Sequence, residues 1–270
     1  MKKLYITLIF IFSLHFGYSQ STYKITYLAT SQLDSTDVES KMQEIAYLYI
    51  NSQSSIYTEA KAMQLDSVFN ELQQGRLSEG YLLANINSLP KPKDAARIVK
   101  EYTDERITNH NKVGTSAYVY TEDMQIGDWK LLDEEKKIHN FQCQLAEIEY
   151  GGRVWQAYYT TAIPLSDGPY KFSGLPGLIV LLQDKEEHYS FEMLRLDPIE
   201  EIPSYLNKSR KNTNSISKQE YYNEYRKFTG NPLIQLEQMG VVLDEKNRRM
   251  AQQNIRNKNA KNYNPIELSN

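Results

Sequence analysis

From Ala117 to Leu196 the sequence is a succession of short alternating segments separated by tight turns, and this constrains the fold more than any other feature. Tyr118 and Tyr120 mark the first segment. "GDWKLLDEEKKI" is the second, after a turn at Gly127-Asp128, and "FQCQLAEIEY" the third. Gly151-Gly152 closes a hairpin into Arg153–Ile163, where Trp155, Ala157, Tyr159, Thr161 and Ile163 share one side. "LIVLLQ" follows, then the charged turn "DKEE", then "HYSFEMLRL". Period-two alternation without intervening helical spacing predicts an antiparallel meander of about five or six strands, not a parallel α/β sheet. In "FQCQLAEIEY" the apolar positions change from odd (Phe141, Cys143, Leu145) to even (Ala146, Ile148, Tyr150), which predicts a bulge near Leu145.

The run Leu178–Leu182 is apolar without alternation, as in a strand buried on both faces, with Leu178, Val180 and Leu182 expected on one face. It is preceded by Gly174-Leu175-Pro176-Gly177 and, upstream, by Gly168-Pro169. Pro176-Gly177 suits the central positions of a type II turn, with glycine taking the positive φ. The bland reading is a rigid corner leading into Leu178-Ile179. The sharper one is an anion nest of glycine amides, but no Lys, Ser or Thr follows in a phosphate-loop pattern.

Outside this region, Thr22–Ala29 and Glu44–Ile50 alternate as strands, and Ala62, Leu65, Phe69 and Leu72 recur at helical spacing up to Gly75. Residues 98–111 fit neither pattern clearly. After Pro198, Ser217-Lys218-Gln219-Glu220 forms a capping box, and Tyr221, Tyr222, Tyr225 and Phe228 share one helical face. The division expected is a signal segment at 1–19, a β-rich domain at 20–198 with a helical insertion near 59–75, a helical extension at 199–250, and a basic mobile tail at 251–270. The fold class is α+β: a mainly antiparallel curved sheet with packing helices.

The N-terminus has Lys2-Lys3, an apolar stretch from Leu4 to Phe16, and small residues Gly17 and Ser19 before a cut at Gln20, the layout of a secretory signal. The apolar stretch is shorter than the roughly 20 residues of a membrane span, and no cysteine follows it for lipid attachment. The mature chain is therefore expected in the periplasm or outside the cell, without a transmembrane segment or lipid anchor. The formal charge of −3 argues against nucleic acid as a partner. A single cysteine rules out an internal disulfide, so stability rests on burial and hydrogen bonding.

The residues give no clear catalytic pattern. His110, His139 and His188 are far apart in sequence and the lone Cys143 excludes a cysteine zinc site, so neither a metal nor a cofactor is expected. Cys143 alternates with apolar neighbours and is expected as a buried free thiol. No serine sits in a nucleophile elbow. Trp155, Tyr159, Phe172 and Trp129 are candidates for an aromatic-lined groove, although most such residues are core.

Lys137-Ile138, Cys143, Ala146, Arg153, Trp155, Ala157, Tyr159-Thr160, Ile163-Pro164, Gly168-Pro169, Phe172 and Gly174–Ile179, with the closing Asn264–Leu268, resemble the GLPGLI family of exported proteins from Gram-negative bacteria. Tyr158 departs from the family's usual Trp. The resemblance implies export and a β-rich domain but no particular reaction. At fold level the meander is also similar to the lipoprotein-carrier-like half-barrels of bacterial envelopes. The function expected is a non-enzymatic envelope protein binding an apolar ligand, a peptide or a partner protein on a curved sheet. The alternatives are an envelope hydrolase with a site assembled from distant residues, and an assembly factor docking through its C-terminal part.

Overall fold

The computed structural model describes residues 21–85, 87–92, 96–114, 116–208, 212–230, 233, 242–259 and 264–268. The expected signal segment lies outside the described residues. In chain order the elements are β1 (Thr22–Gln32), β2 (Lys41–Ile50), β3 (Ser54–Glu59), α1 (Ala60–Gln73), α2 (Glu79–Asn85), β4 (Arg97–Glu101), β5 (Arg106–Val113) and β6 (Ser116–Asp123). They continue with β7 (Lys130–Ile138), β8 (Phe141–Tyr150), β9 (Arg153–Thr160), β10 (Leu178–Asp184), β11 (Tyr189–Ile199), β12 (Thr213–Ser215), α3 (Lys218–Gly230) and α4 (Glu245–Asn259).

Among the described residues all twelve strands lie in one sheet, ordered β12-β6-β5-β4-β3-β2-β1-β11-β10-β9-β8-β7. It is two antiparallel meanders joined where β1 pairs β11, with β12 added parallel to β6. The residues 98–111, ambiguous in sequence, are β4 and β5. The sheet cannot be flat. From β6 to β7 there are ten strand spacings, roughly 48 Å at about 4.8 Å each. The chain covers that gap with residues 124–129, which reach roughly 24 Å at full extension. The sheet therefore rolls until its two ends approach, yet β6 and β7 do not pair, and it stays an open, curved sheet.

Register fixes what lines the inside of the roll. Trp155 pairs Ile148, Ala157 pairs Ala146 and Leu182, and Leu182 pairs Phe191. Phe191 pairs Ala29, Ile25 pairs Leu48, and Leu48 pairs Tyr57. Paired residues point to the same face, so these side chains form one inner core spanning both meanders. The outer face is covered locally: α1 and the turn Ser204–Asn207 bury Tyr49, Ile56, Ile202 and Leu206. Helix α1 turns Ala62 and Asp66 inward, while Leu65, Phe69 and Leu72 are only half-buried. The exposed edge strand β7 reads Lys-Leu-Leu-Asp-Glu-Glu-Lys-Lys-Ile, and its charges discourage edge-to-edge pairing.

Two register expectations are corrected. Strand β8 pairs β9 without interruption from Gln144 to Tyr150, so the extra residues are not in β8. They are in β7, where Leu131 faces Ala146 and Glu135 faces Gln144. Leu145 and Ala146 point to opposite faces and both are buried, because the sheet is covered on both sides there. The second irregularity is in β10. Its register with β9 shifts between Ile179 and Leu181, so Ile179 and Leu182 share the inner face and the expected trio Leu178, Val180, Leu182 is split. All four of Leu178, Ile179, Val180 and Leu182 are fully buried.

The tail expectation is also corrected. Helix α4 runs to Asn259, and Asn264–Leu268 is docked, with Asn264 and Glu267 buried. Asn264 bonds to the end of β1 and Leu268 to the Gly151 turn, which pins a strap that composition alone reads as mobile. Elsewhere local chemistry behaves as its sequence dictates. Ser217 N–H donates to Glu220 at 2.8 Å while Glu220 N–H donates to Ser217 Oγ at 3.2 Å, the reciprocal capping box. Gly151 and Gly152 both have positive φ, as a primed hairpin turn requires.

Candidate functional site

The segment between β9 and β10, residues 161–177, folds back into the roll and is pinned by a buried lysine. Lys100, on the inner face of β4, is fully buried. Its ammonium donates to Gly168 O at 2.8 Å and Phe172 O at 3.1 Å and pairs with Asp167. Burial lowers the Lys100 pKa and Asp167 opposes that. Asp167 also accepts from Gly168 N–H and, at 2.6 Å, from Tyr102 Oη. Burial, with Asp167 adding to it, raises the Tyr102 pKa. The carboxylate held by this glycine-rich corner is thus the chain's own.

The type II turn expected at Pro176-Gly177 is corrected. Gly174 takes a positive φ of 93° and Gly177 does not. Gly177 is glycine for space: a Cβ there would stand 2.1 Å from Thr160 O and 2.6 Å from its carbonyl carbon. At Gly168 a Cβ would meet Ile179 Cδ1 at 2.5 Å. The corner brings β10 against the end of β9 so closely that only hydrogen fits.

This corner delivers Tyr170, Lys171, Phe172 and Leu175 into the inner core. Three of the four aromatics singled out from sequence, Trp155, Phe172 and Trp129, meet there. Phe172 lies 4.9 Å from Trp155 and 6.2 Å from Trp129, ring centre to ring centre. Trp129 Nε1 donates to Ser173 O at 2.8 Å, and Trp155 Nε1 to Tyr150 O at 3.1 Å. Tyr159 is buried and its hydroxyl donates to Gln144 at 2.7 Å. Where Trp155 lines the roll, the chain's own Phe172 fills it.

The open space lies further along, beneath α3. A cavity of about 310 Å³ is walled by Tyr57, Tyr120, Tyr170, Phe191, Tyr221 and Tyr222. Glu44, Glu59, Asn109, Asn111 and Lys112 add polar groups. Asn111 is buried, and its Nδ2 has no hydrogen-bond partner among the described residues. A buried amide donor left unmade costs about 1–3 kcal/mol, which makes it a natural handle for a bound acceptor. Asn109, its neighbour on the same face, is satisfied by Glu122 at 2.8 Å. Glu44 is held by Lys61 at 2.5 Å. Sequence reasoning found the tyrosines of α3 as a helical stripe but not the cavity. The signal was the number of tyrosines, 21, on strands that alternate.

One wall of the cavity is the docked strap, Pro265, Ile266 and Glu267. Glu267 sits in a buried ion cluster. Lys171 approaches it at 2.7 Å and Lys218 at 3.0 Å, and Glu122 pairs with both lysines at 2.5 and 2.9 Å. Tyr170 donates to Glu267 at 2.6 Å. Burial works to raise the Glu267 pKa, but Lys171 and Lys218 outweigh it and hold the group at about 2. A carboxyl depressed when folded contributes stability above its unfolded value of 4.5 and loses it as the pH falls toward 2. The expected result is a drop in the urea midpoint between pH 5 and 2 that is smaller in Glu267→Gln. Equal acid sensitivity in the two proteins would contradict the assignment.

The comparisons with known proteins meet this geometry at the corner. A family model described as "Protein of unknown function (Porph_ging)" matches residues 151–181, from the β8–β9 hairpin through the corner into β10. No curated protein matches the chain. Among solved structures, PNGF-II in two crystal forms is similar at a TM-score of 0.53 and 12% identity, over 77% of this chain and 33% of that one. The likeness is one of fold, and the chain spans about a third of that protein's length. An uncharacterized conserved protein from Thermus thermophilus aligns at a TM-score of 0.38 and 8% identity, over 74% and 92% of the two chains.

The remaining sequence candidate, Cys143, is a free thiol buried in the core. Burial raises its pKa, which withholds the reactive thiolate. A thiol reagent is expected to label it slowly in the native protein and rapidly in denaturant. Rapid native labelling would reopen a nucleophilic role.

Proposed function

We propose that the protein is an exported, non-enzymatic binding protein of the cell envelope that holds an apolar ligand or a peptide side chain in the tyrosine-walled cavity. The observation that carries this reading is Asn111: a buried amide donor without a partner among the described residues, lining a cavity walled by aromatic rings. The space suits one aromatic or branched apolar group bearing a carbonyl. Tyrosine walls bury the apolar body, and Asn111 Nδ2 donates to the carbonyl. The charged groups near the cavity support binding over hydrolysis, because Glu44 and Glu267 are engaged by Lys61 and Lys171. Export rests on the Lys2-Lys3 and apolar N-terminal pattern. The matched segment contains Gly174–Ile179, which supports placing the chain in the GLPGLI family.

The test is titration with the apolar dye N-phenyl-1-naphthylamine. Saturable binding at one site per chain is expected, lost in Ala29→Trp, which puts an indole into the cavity wall. Binding that does not saturate, or that is unchanged in Ala29→Trp, would overturn the proposal.

A further inference from the structure

The strap Asn264–Leu268 is held as a bound peptide is held. Arg153, buried on β9 beside Asp184 at 2.7 Å, donates to Pro265 O at 2.7 Å, to Ile266 O at 3.1 Å and to the Asn264 side chain. Asn264 N–H donates to Leu33 O at 3.0 Å and its Nδ2 to Gln32 O at 2.8 Å. Tyr189 Oη donates to Asn264 O at 2.6 Å, and Leu268 N–H to Gly151 O at 2.6 Å. Glu267 is read by Lys171, Lys218 and Tyr170.

Two kinds of contact are present. Those to main-chain groups fix an extended segment of any sequence. Those to the Asn264 amide and the Glu267 carboxylate read its identity. The receptor groups come from β1, β9, β11, the corner and α3, all distant from the strap in sequence. In the preceding helix α4, residues 245–250 are exposed, so that stretch adds no buried surface of its own. Among the described residues, the strap is attached through the contacts named above.

We infer that this groove is a recognition site for an extended peptide carrying an amide and, three residues on, a carboxylate, and that it accepts the C-terminal segment of a second copy of this chain as well as its own. The segment with that pattern on the page is the chain's own, which fixes the occupant in trans. The inference is independent of what fills the tyrosine-walled cavity.

A fluorescein-labelled peptide Asn-Pro-Ile-Glu-Leu is titrated into the full-length double variant Asn264→Ala, Glu267→Gln, whose fold is monitored by circular dichroism. Saturable binding is expected, at least tenfold tighter than to the wild-type chain, whose own strap competes. The peptide with Gln in place of Glu is expected to bind at least tenfold more weakly. No saturable binding to the folded variant, or equal binding of the two peptides, would overturn the inference. Should the variant not fold, the wild-type chain decides. At millimolar concentration a benzoylphenylalanine-bearing copy of the peptide is expected to crosslink to the groove, competed by the Glu peptide and not by the Gln peptide. Failure of that competition would equally overturn it. A failed dye titration leaves these outcomes unaffected, since the dye probes the cavity and the peptide the groove.

Discussion

Lys100→Met is expected to destabilise the protein by about 3–5 kcal/mol, the cost of removing one partner of a buried ion pair. The substitution keeps much of the side-chain volume, so the loss is electrostatic. It strands Asp167 inside the roll and leaves Gly168 O and Phe172 O without their donor. Asp167 would retain Tyr102 and the Gly168 amide, which limits the damage without neutralising the charge. The double variant Lys100→Met, Asp167→Asn removes the stranded charge and should be less destabilised than Lys100→Met alone. Denaturant midpoints for Lys100→Met, Asp167→Asn and the double variant test this. A double variant as unstable as the sum of its parts would mean that the pin is not a coupled unit.

The second large effect is at the hexapeptide. Gly177→Ala is expected to cost at least the upper end of the roughly 1–3 kcal/mol typical of overpacking. The added Cβ meets backbone, Thr160 O at 2.1 Å, and backbone of a buried strand end cannot swing aside as a flexible side chain can. Gly174→Ala makes the contrast. There the nearest atom to a new Cβ is Trp129 Nε1 at 3.9 Å, and the cost is the positive φ alone, about 1–2 kcal/mol. Thermal melts should rank Gly177→Ala well below Gly174→Ala. The reverse order would restore the turn reading that the geometry replaces.

These two positions show how far the sequence could be read. Alternation gave β1, β2 and the meander from β6 to β11, because each strand writes its own period. It also gave α3, through Ser217 and Glu220. It could not show that Gly177 is needed for close approach, since a glycine chosen for space and one chosen for φ are the same letter. Nor could it show that β8 keeps its register while β7 carries the irregularity, because parity along one strand does not reveal coverage of its second face. Of the aromatic candidates, Trp155, Phe172 and Trp129 come together as core around the corner, while Tyr159 is buried apart from them and bonds to Gln144. The cavity is built from Tyr57, Tyr120, Tyr170 and Tyr221, which lie on four separate elements or loops, so no spacing rule links them. Sequence reasoning did not single out Lys100 or Lys171, and it noted Arg153 only as the start of a strand and within the family resemblance. Their partners, Asp167, Asp184 and Glu267, are fixed only by the fold.

Burial of Lys171 and Glu267 has a further consequence for the strap. Each would be costly alone, and together with Lys218 and Glu122 they form a charge-balanced set. Pro265, Ile266 and Glu267 of the seated strap thus form one wall of the cavity.

The central claim is that the tyrosine-walled cavity holds a ligand through Asn111. Its most direct measurement is native mass spectrometry of the wild-type protein, Asn111→Leu and Ala29→Trp, each mixed with N-acetylphenylalaninamide, which offers an aromatic ring and a carbonyl. The account predicts a one-to-one adduct with the wild-type chain, weakened in Asn111→Leu and absent in Ala29→Trp. Adducts of equal abundance on all three proteins, or none on the wild-type chain at millimolar ligand, would contradict it.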